Sequence, residues 1–268
     1  MKIDTIVTDM DDTLLDANGK ISDYTLRVVK ECVARGLRFI PASGRTQSSL
    51  RPFVEQMGTG CPYIGGNGSE IIGADHQLLE QQTLDAETAR QICAFLREHG
   101  FYVHVYHDDA FYYDDECTAA TNYKHSSGMR GIAVGDLVSF IDFDTPKVLS
   151  VSTPEKVQQM MPLLQEHFQG RVTCTQSKAY FLEVVAPGAS KGGALRRLAQ
   201  RIGIRPENTL VFGDSLNDIS MLQFGPYGVA VGNARPVVQQ AAWQVCLPNT
   251  QDGEAHFINE HVLGGAIR

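Results

Sequence analysis

The sequence lacks the cysteine pattern of a disulfide-bonded or zinc-binding protein. No two of its cysteines have the C-x-x-C spacing that structural zinc sites use, and none cluster as in small disulfide-rich domains. The six cysteines are scattered along the chain at Cys32, Cys61, Cys93, Cys117, Cys174 and Cys246. This spacing predicts reduced thiols in a cytoplasmic protein.

Long apolar runs and an excess of positive charge are also missing. No apolar run approaches the length of a bilayer span, and the N-terminus enters a strand pattern without a basic and then apolar leader. The formal net charge of -8 argues against nucleic acid or an anionic membrane as the main partner. It does not exclude an anionic substrate, because local cations can reverse the potential inside a cleft. We expect a protein that binds neither nucleic acid nor membrane, as a monomer or a homodimer.

The chain contains no internal repeat and no low-complexity linker. Its composition, with 43% hydrophobic and 20% charged residues, is typical of a globular protein that buries a full core. At roughly 150 residues per domain, the 268 residues suggest one large domain or two modest ones.

An acidic segment follows the first predicted strand directly. Residues 3–8 are rich in apolar and β-branched side chains, and Asp9, Asp11 and Asp12 come next. The carboxyl ends of strands are where open α/β sheets bind ligands. A regular strand would point the Asp9 and Asp11 side chains to one face, and two such close carboxylates need a cation, for which Mg²⁺ is the natural candidate. The alternative interpretation is a plain acidic turn.

Two segments with an alternating strand and helix pattern flank a segment of different character. The alternation in the outer segments is typical of a parallel sheet covered by helices. The middle segment has the order helix, hairpin, helix, hairpin, with little assigned in residues 114–146. We therefore predict an α/β protein with a Rossmann-like parallel-sheet core domain (1–83 and 187–268) and an inserted α+β domain (84–186).

Four segments of the predicted core place polar residues where a strand ends or a helix begins. Because the carboxyl ends of parallel strands meet along one edge of a sheet, these residues can form one site. Taken singly, each has a structural explanation as a helix cap, a turn residue or a solvated lysine. The four sets are Asp9 and Asp11; Ser43, Gly44 and Arg45; Lys191; and Asp214, Asn217 and Asp218.

The acidic residues match the needs of phosphoryl transfer. Asp9 can act as a nucleophile that forms an aspartyl phosphate. Asp11 can protonate the leaving alkoxide and later deprotonate the attacking water. Asp9 and Asp214 can hold Mg²⁺, which screens the approach of an anion to an anionic nucleophile.

The remaining residues supply donors for the phosphoryl oxygens. The Ser43 hydroxyl and the Gly44 amide, predicted at a helix start, can donate hydrogen bonds to them. Lys191, at the start of another predicted helix, adds a point charge.

The chain resembles the haloacid dehalogenase (HAD) superfamily of phosphatases, and within it the Cof-type branch with a type C2B α/β cap. Asp9-Met10-Asp11-Asp12-Thr13 matches the first motif, D-x-D-x-T, and Ser43-Gly44-Arg45 matches the second. Lys191 matches the third motif, and residues 213–218 match the fourth, G-D-x-x-N-D. The motifs occur in the family's order, with the insert between the second and the third.

The resemblance implies roles for particular residues. Mg²⁺ would be held by the Asp9 carboxylate, the Asp11 main-chain carbonyl and the Asp214 carboxylate, and Asp218 and Arg45 would support these groups. One departure from the family is Asp12, where Gly is usual, and its extra charge could perturb Asp11 or the metal. The phosphate contacts implied are the Met10 amide, Ser43, Gly44, Lys191 and Asn217.

The resemblance also implies that the insert is a cap that closes over the core and reads the leaving group. Its hinges would lie near Thr83–Asp85 and Val184–Gly188. Asn67, in a glycine-rich turn, faces the substrate or serves only the turn. Aromatic and histidine side chains of the insert could contact a sugar or a heterocycle, although packing on strands is the stronger interpretation. They are Tyr102, Tyr106, Tyr112, Tyr113, Tyr123, His104, His107 and His125.

The leading hypothesis is a Mg²⁺-dependent phosphomonoesterase that hydrolyses small phosphorylated metabolites, such as sugar phosphates, through an aspartyl-phosphate intermediate. A phosphotransferase or phosphomutase on the same fold is the first alternative. The second is a non-catalytic signalling protein that accepts phosphate on an aspartate.

Overall fold

The computed structural model describes residues 2–267. The strands are β1 (Thr5–Thr8), β2 (Arg38–Pro41), β3 (Tyr63–Gly65), β4 (Glu70–Ile72), β5 (Leu78–Gln81), β6 (Tyr102–His107), β7 (Ala110–Tyr113), β8 (Arg130–Ala133), β9 (Lys147–Val151), β10 (Thr173–Thr175), β11 (Phe181–Val185), β12 (Thr209–Gly213), β13 (Tyr227–Ala230) and β14 (Gln244–Val245). The helices are α1 (Asp23–Ala34), α2 (Gln47–Met57), α3 (Ala86–Glu98), α4 (Thr118–Ser127), α5 (Leu137–Phe140), α6 (Pro154–Phe168), α7 (Lys191–Ile202), α8 (Ile219–Leu222), α9 (Pro236–Ala241) and α10 (Gly253–His261).

The chain forms two compact units. The first contains the chain up to Glu80 and from Ser190 onward, and the second contains Gln81–Ala189. In the part of the chain that the structure describes, no helix combines the length and the apolar character needed to cross a membrane.

The first unit is built on a five-stranded parallel sheet with the order β14-β13-β12-β1-β2. Side chains along β1 alternate between its two faces, so Ile6 packs into one apolar cluster and Val7 into the other. α1 and α10 contribute to the first cluster, and α7 and α8 contribute to the second. Burial of both faces explains why β1 and β12 contain no charged residue.

α1 begins at a serine cap and ends before a glycine. The Ser22 side chain caps α1 by accepting a hydrogen bond from the Thr25 amide, and Gly36 follows the helix in left-handed backbone. β3, β4 and β5 form a separate three-stranded sheet, in which β3 and β4 are antiparallel.

The second unit is a six-stranded sheet with the order β10-β11-β9-β6-β7-β8. Neighbouring strands are antiparallel except β7 and β8, which are parallel and are connected through α4. One face is apolar and packs on α3 and α6, with Val103, Val105 and Val148 among its residues.

Candidate active site

Two neighbouring parallel strands end at the predicted acidic residues. Asp9 follows β1 directly, and Asp214 follows β12 directly. The Asp9 amide donates to the Phe212 carbonyl at 3.1 Å, which extends the pairing of the two strands to their carboxyl ends. The sheet thus brings together two carboxylates that lie far apart in the sequence.

A buried lysine joins two carboxylates of this site. Lys191 is the first residue of α7, whose cap, Ser190, accepts a hydrogen bond from the Gly193 amide at 3.0 Å. Lys191 Nζ donates to Asp9 Oδ1 at 2.5 Å and to Asp218 Oδ1 at 2.6 Å. The Lys191 side chain is 1% exposed, so it is not a solvated lysine.

The Asp214 and Asp218 carboxylates have different partners. Asp218 Oδ2 accepts from the amides of Asp214 at 3.0 Å and Ser215 at 2.9 Å, and its other oxygen accepts from Lys191. Asp214 Oδ1 accepts from the Thr13 hydroxyl at 3.1 Å, and Asp214 Oδ2 accepts from the Ser215 hydroxyl at 3.2 Å. Asp218 is therefore held by a cation and two amides, whereas Asp214 is held by neutral hydroxyls.

The site carries more negative charge than its lysine can balance. Burial, together with the Asp218 and Asp214 charges, raises the pKa of Asp9 well above its ordinary value, despite the opposing effect of Lys191. Burial and the Asp218 charge raise the pKa of Asp214 to about 7. Burial alone would lower the pKa of Lys191, but the Asp218 and Asp9 carboxylates raise it, so the lysine is a cation.

This imbalance fits a bound divalent cation. Oxygen atoms of Asp9, Asp214 and Asp218, one from each residue, lie within 4.8 Å of one another. Carboxylates are the ligands that hard divalent cations prefer. Because Asp218 is held by a cation and two main-chain amides, whereas Asp214 accepts only from hydroxyls, Asp218 is less available as a ligand than Asp214.

Asp12, which stands where glycine was expected, affects Asp214. Asp12 has left-handed backbone, with φ 63°, which explains why glycine suits this position. Its main-chain carbonyl accepts from Asn233 Nδ2 at 2.7 Å. The charge of Asp12 contributes to raising the pKa of Asp214, so the unusual residue acts on a candidate metal ligand.

Asp11 lies in a turn and not in the strand. β1 ends at Thr8, and the alternation expected of a regular strand does not continue to Asp11. The Asp11 carboxylate accepts two hydrogen bonds from Arg45, both at 2.8 Å, while Asp9 bonds Lys191. The strand-based prediction for the Asp9 and Asp11 side chains was therefore wrong, because the backbone turns between them.

Ser43 and Gly44 lie in a loop before α2 and not at its first turn. α2 begins at Gln47 with Thr46 as its cap residue, so the interpretation of Ser43 as a helix cap is wrong. Ser43 is 1% exposed, and its Oγ accepts from the Arg45 amide at 3.1 Å. This contact orients the hydroxyl oxygen within the loop.

The last two predicted phosphate contacts are buried. Met10 is fully buried and its side chain belongs to an apolar cluster of the first unit. Asn217 is 7% exposed, and its Nδ2 donates to Asn67 Oδ1 at 2.8 Å. The structure thus connects Asn67, for which the sequence left open a role toward the substrate or in the turn alone, to a predicted site residue.

A buried carboxyl beneath Asp9 was missed by the sequence analysis. Thr8 Oγ1 lies 2.7 Å from the Asp9 carbonyl oxygen and 2.6 Å from Glu254 Oε2. A hydroxyl has one proton to donate, so a protonated Glu254 that donates to Thr8 satisfies both contacts. Burial raises the pKa of Glu254 to about 8, in agreement with a neutral carboxyl group.

We expect Glu254→Gln to remove a pH dependence of stability. The Glu254 pKa rises from 4.5 in its ordinary state to about 8 in the fold, so its stabilising effect is complete below pH 4.5 and is lost as the pH rises through about 8. The variant should therefore gain free energy of unfolding relative to wild type by roughly 1.4 kcal/mol per pH unit across that window. Urea unfolding at pH 5, 6.5 and 8 measures this difference.

Glu260→Gln is the matched control for this prediction. Glu260 lies on the same helix, α10, and is exposed. After substitution of Glu260, the free energy of unfolding should change between the three pH values as it does in wild type. If the free energy of unfolding of Glu254→Gln also changes with pH as it does in wild type, the result would contradict a neutral carboxyl group at this position.

Except for His125, which is exposed on α4, the predicted recognition residues of the second unit fall into two groups. His104 Nδ1 lies 3.0 Å from the Tyr102 hydroxyl and His104 Nε2 lies 2.9 Å from the Tyr106 hydroxyl, which lies 2.5 Å from the Tyr123 hydroxyl. Burial and the charge of Lys147 lower the pKa of His104 well below its ordinary value. This group forms a connected, buried aromatic and histidine cluster.

The other group is separate from that cluster. His107 stacks on Phe143 with ring centroids 4.1 Å apart, and Tyr112 stacks on Phe140 at 5.0 Å. Because successive residues of a strand point to opposite faces, Tyr112 lies on the face opposite to Tyr113.

Comparison with known proteins agrees with this fold. A family model described as haloacid dehalogenase-like hydrolase matches residues 6–258. An HMP-PP phosphatase of Serratia proteamaculans is 29% identical over 93% of this chain and 92% of the relative. A 5-amino-6-(5-phospho-D-ribitylamino)uracil phosphatase of Bacillus subtilis is 27% identical over 97% of this chain and 96% of the relative.

A solved structure shares the whole architecture. The haloacid dehalogenase-like hydrolase from Bacteroides thetaiotaomicron superposes with a TM-score of 0.86 at 27% identity, over 97% of this chain and 99% of that one. The chain therefore belongs to the haloacid dehalogenase-like hydrolases. It is a HAD-type enzyme, like the phosphatases to which it is similar. The predicted family and the predicted α/β fold class are confirmed.

Proposed function

We propose that this HAD-type phosphatase is a Mg²⁺-dependent phosphomonoesterase that hydrolyses small phosphorylated metabolites, with sugar phosphates as the favoured substrate class. The observation that carries the proposal is the placement of buried Lys191 between Asp9 and Asp218, beside Asp214, at the ends of two parallel strands. A site with three carboxylates and one lysine suits a metal ion and a phosphoryl group that arrive together.

In the proposed reaction, Asp9 is the nucleophile and Asp11 is the general acid and base. The Asp9 carboxylate attacks phosphorus, the bond from phosphorus to the leaving oxygen breaks, and Asp11 gives that oxygen a proton. Asp11, then a carboxylate, takes a proton from a water molecule whose oxygen attacks phosphorus. The bond from phosphorus to Asp9 breaks, and inorganic phosphate leaves.

Arg45 suits the base form of Asp11. Its two hydrogen bonds stabilise the ionised carboxylate and fix its orientation. To carry a proton in the first step, Asp11 must give up at least one of these bonds. We propose that a bound substrate, by approaching Asp11, drives that exchange.

The phosphoryl oxygens would be held by donors from several loops. Lys191 Nζ donates two of its three protons to acceptors within residues 2–267, which leaves the third for a phosphoryl oxygen. The Ser43 hydroxyl and the Gly44 amide are further donors, together with Asn217 and the Met10 amide. Mg²⁺ held by Asp9, Asp214 and the Asp11 carbonyl would supply the positive charge that neutralises the phosphoryl group.

The substrate class rests on the relatives and on the second unit. One relative is named for a phosphorylated ribitylamino compound. We propose that the insert, residues 84–186, is the cap that selects the leaving group. Tyr102 and Tyr123, the partly exposed members of the cluster around buried His104 and Tyr106, offer the hydroxyl and ring groups that bind polyhydroxylated molecules.

Phosphate release from a panel of phosphorylated metabolites, with Mg²⁺ and with EDTA, tests the proposed function. We expect release with Mg²⁺, loss of release in EDTA and the fastest rates with sugar phosphates. Release that is equal in EDTA would contradict the metal requirement. Transfer of phosphate to a second substrate without release would identify a phosphotransferase, and a phosphoryl group that persists on Asp9 for minutes would identify a phospho-acceptor protein.

A further inference from the structure

The turn at Gly66–Gly68 holds one side chain in an unusual backbone conformation. Gly66, Asn67 and Gly68 all have positive φ, at 56°, 59° and 92°. Only the middle residue has a side chain. Left-handed backbone favours glycine, and among residues with a side chain asparagine and aspartate tolerate it best. Asn67 therefore has a side chain where a third glycine would have been easier to accommodate, and such strain is typical of functional positions.

This turn contacts three of the loops that form the candidate active site. The Asn67 amide donates to the Ser43 carbonyl at 3.0 Å, and Asn67 Oδ1 accepts from Asn217 Nδ2 at 2.8 Å. A Cβ atom added to Gly68 would lie 2.1 Å from the Ser190 carbonyl oxygen, immediately before Lys191. Asn67 thus lies where the loops of Ser43, Lys191 and Asn217 meet.

The Asn67 side chain has a donor without an acceptor. Asn67 is 1% exposed, and within residues 2–267 its Nδ2 has no hydrogen-bond partner. A buried amide group of this kind costs free energy unless a ligand completes it. Because Asn67 Oδ1 accepts a hydrogen bond from Asn217, the orientation of the Asn67 amide group is fixed. Its Nδ2 is then the atom that is left to donate to a ligand.

Asn67 Nδ2 lies beside Gly44, whose main-chain amide is predicted to donate a hydrogen bond to phosphate. A Cβ atom added to Gly44 would lie 3.0 Å from Asn67 Oδ1 and 3.5 Å from Asn67 Nδ2, so the side chain occupies the space next to Gly44. Asn217, also next to Asn67, has an unpartnered buried Oδ1 within the described residues. The Asn67 Nδ2 donor needs an acceptor such as a phosphoryl oxygen, whereas Asn217 Oδ1 needs a donor such as a water molecule or a hydroxyl group.

We infer that Asn67 is a further phosphate-binding residue, whose Nδ2 donates to a phosphoryl oxygen while its Oδ1 holds Asn217. This inference rests on the proposed function, since the ligand is the phosphoryl group of the substrate or the phosphate product. A neutral amide donor suits this place because it adds no charge to a site that already contains Lys191. The chemistry is that of an oxyanion bound by converging N–H groups.

Binding of inorganic phosphate to the full chain with Mg²⁺, measured by isothermal titration calorimetry, tests the inference. Asn67→Gly removes the side chain while the backbone keeps its left-handed conformation without strain. We expect the Kd for phosphate to rise about 10- to 100-fold, the loss associated with a hydrogen bond to a charged group. The midpoint of thermal unfolding should change little, because glycine suits this backbone.

A double-mutant cycle separates direct binding from an effect through Asn217. If Asn67 donates to phosphate, Asn67→Gly should weaken phosphate binding in the Asn217→Ala background as well as in wild type. No further loss in that background would show that Asn67 only positions Asn217, and it would overturn the inference. His76→Gly is the matched control, since His76 also has positive φ, at 64°, and should leave phosphate affinity unchanged.

The two levels of the proposal fail in different ways. A wild-type protein that neither releases phosphate from any ester nor binds inorganic phosphate would overturn the proposed function and this inference with it. A wild-type protein that does both, with an Asn67→Gly variant of equal phosphate affinity, would overturn the role of Asn67 alone.

Discussion

Asp9→Asn is expected to lower the rate of phosphate release by on the order of 10⁴- to 10⁶-fold, the range seen when an enzyme loses its nucleophile. The amide is nearly the same size as the carboxylate and can still accept the hydrogen bond from Lys191, but its oxygen is a poor nucleophile. The substitution also removes one negative charge from a buried site that has an excess of them. Stability should therefore be kept or slightly increased, and initial rates of phosphate release together with urea unfolding measure both effects.

A matched aspartate at the other end of β1 provides the control. Asp4 precedes this strand and pairs with Arg205 and Asn208, away from the site. Asp4→Asn should keep the turnover of wild type. Turnover of Asp9→Asn at the rate of Asp4→Asn would exclude Asp9 as the nucleophile.

Lys191→Met is expected to destabilise the fold by about 3–5 kcal/mol at pH 8 in EDTA, because removal of one partner leaves buried charges without compensation. Methionine is similar in length but carries no charge, so Asp9, Asp214 and Asp218 would share a buried site with no cation. Protonation relieves that repulsion. Because Lys191 lowers the pKa of Asp9 and of Asp214 in wild type, both values should be higher in the variant, and the deficit should shrink as the pH falls from 8 to 5.5.

Urea unfolding at pH 5.5 and pH 8 measures this effect, and Lys191→Arg, which keeps the charge, is the comparison. Added Mg²⁺ should stabilise Lys191→Met more than wild type, since the variant has the greater need of a cation. A Lys191→Met variant as stable as wild type at pH 8 in EDTA would contradict the electrostatic role assigned to the lysine.

The elements that carry the candidate site were predictable because their signals are local. An apolar strand followed by acidic residues marks β1 and β12, and Ser190 before Lys191 is a helix cap. The common edge of a parallel sheet then places Asp9 and Asp214 together. No local signal indicates that Lys191 reaches both Asp9 and Asp218, because that depends on how α7 packs.

Parts of the second unit were missed for a physical reason. The central strand β9 contains Lys147 and Ser150, which interrupt its apolar pattern although both residues are buried. α4 has few apolar residues on any face, with Ala120 as its buried residue, so its period is weak. These elements are stabilised by tertiary contacts more than by propensity.

Contacts that depend on turn geometry also could not be predicted from the sequence. The two bonds between Arg45 and Asp11 follow from left-handed backbone at Asp12, which no spacing rule specifies. Glu254 did leave a signal, since it stands with Phe257 and Ile258 at helical spacing. An acid on the apolar face of a helix is a reason to look for a buried neutral carboxyl group.

The pairing of β1 with β12 has a consequence for how the protein is made. Thr5 in β1 lies opposite Thr209 in β12, so the ribosome must synthesise the whole insert before the central strands can meet. The acidic end of β1 emerges first, and although β1 can pair with β2 early, it has no neighbour on its other side until β12 appears, late in translation. Because domains fold as units during synthesis, the insert can become ordered while the two halves of the nucleophile's sheet are still apart. The catalytic centre would then be among the last features of the nascent chain to form, and a truncated product would carry no active phosphatase site.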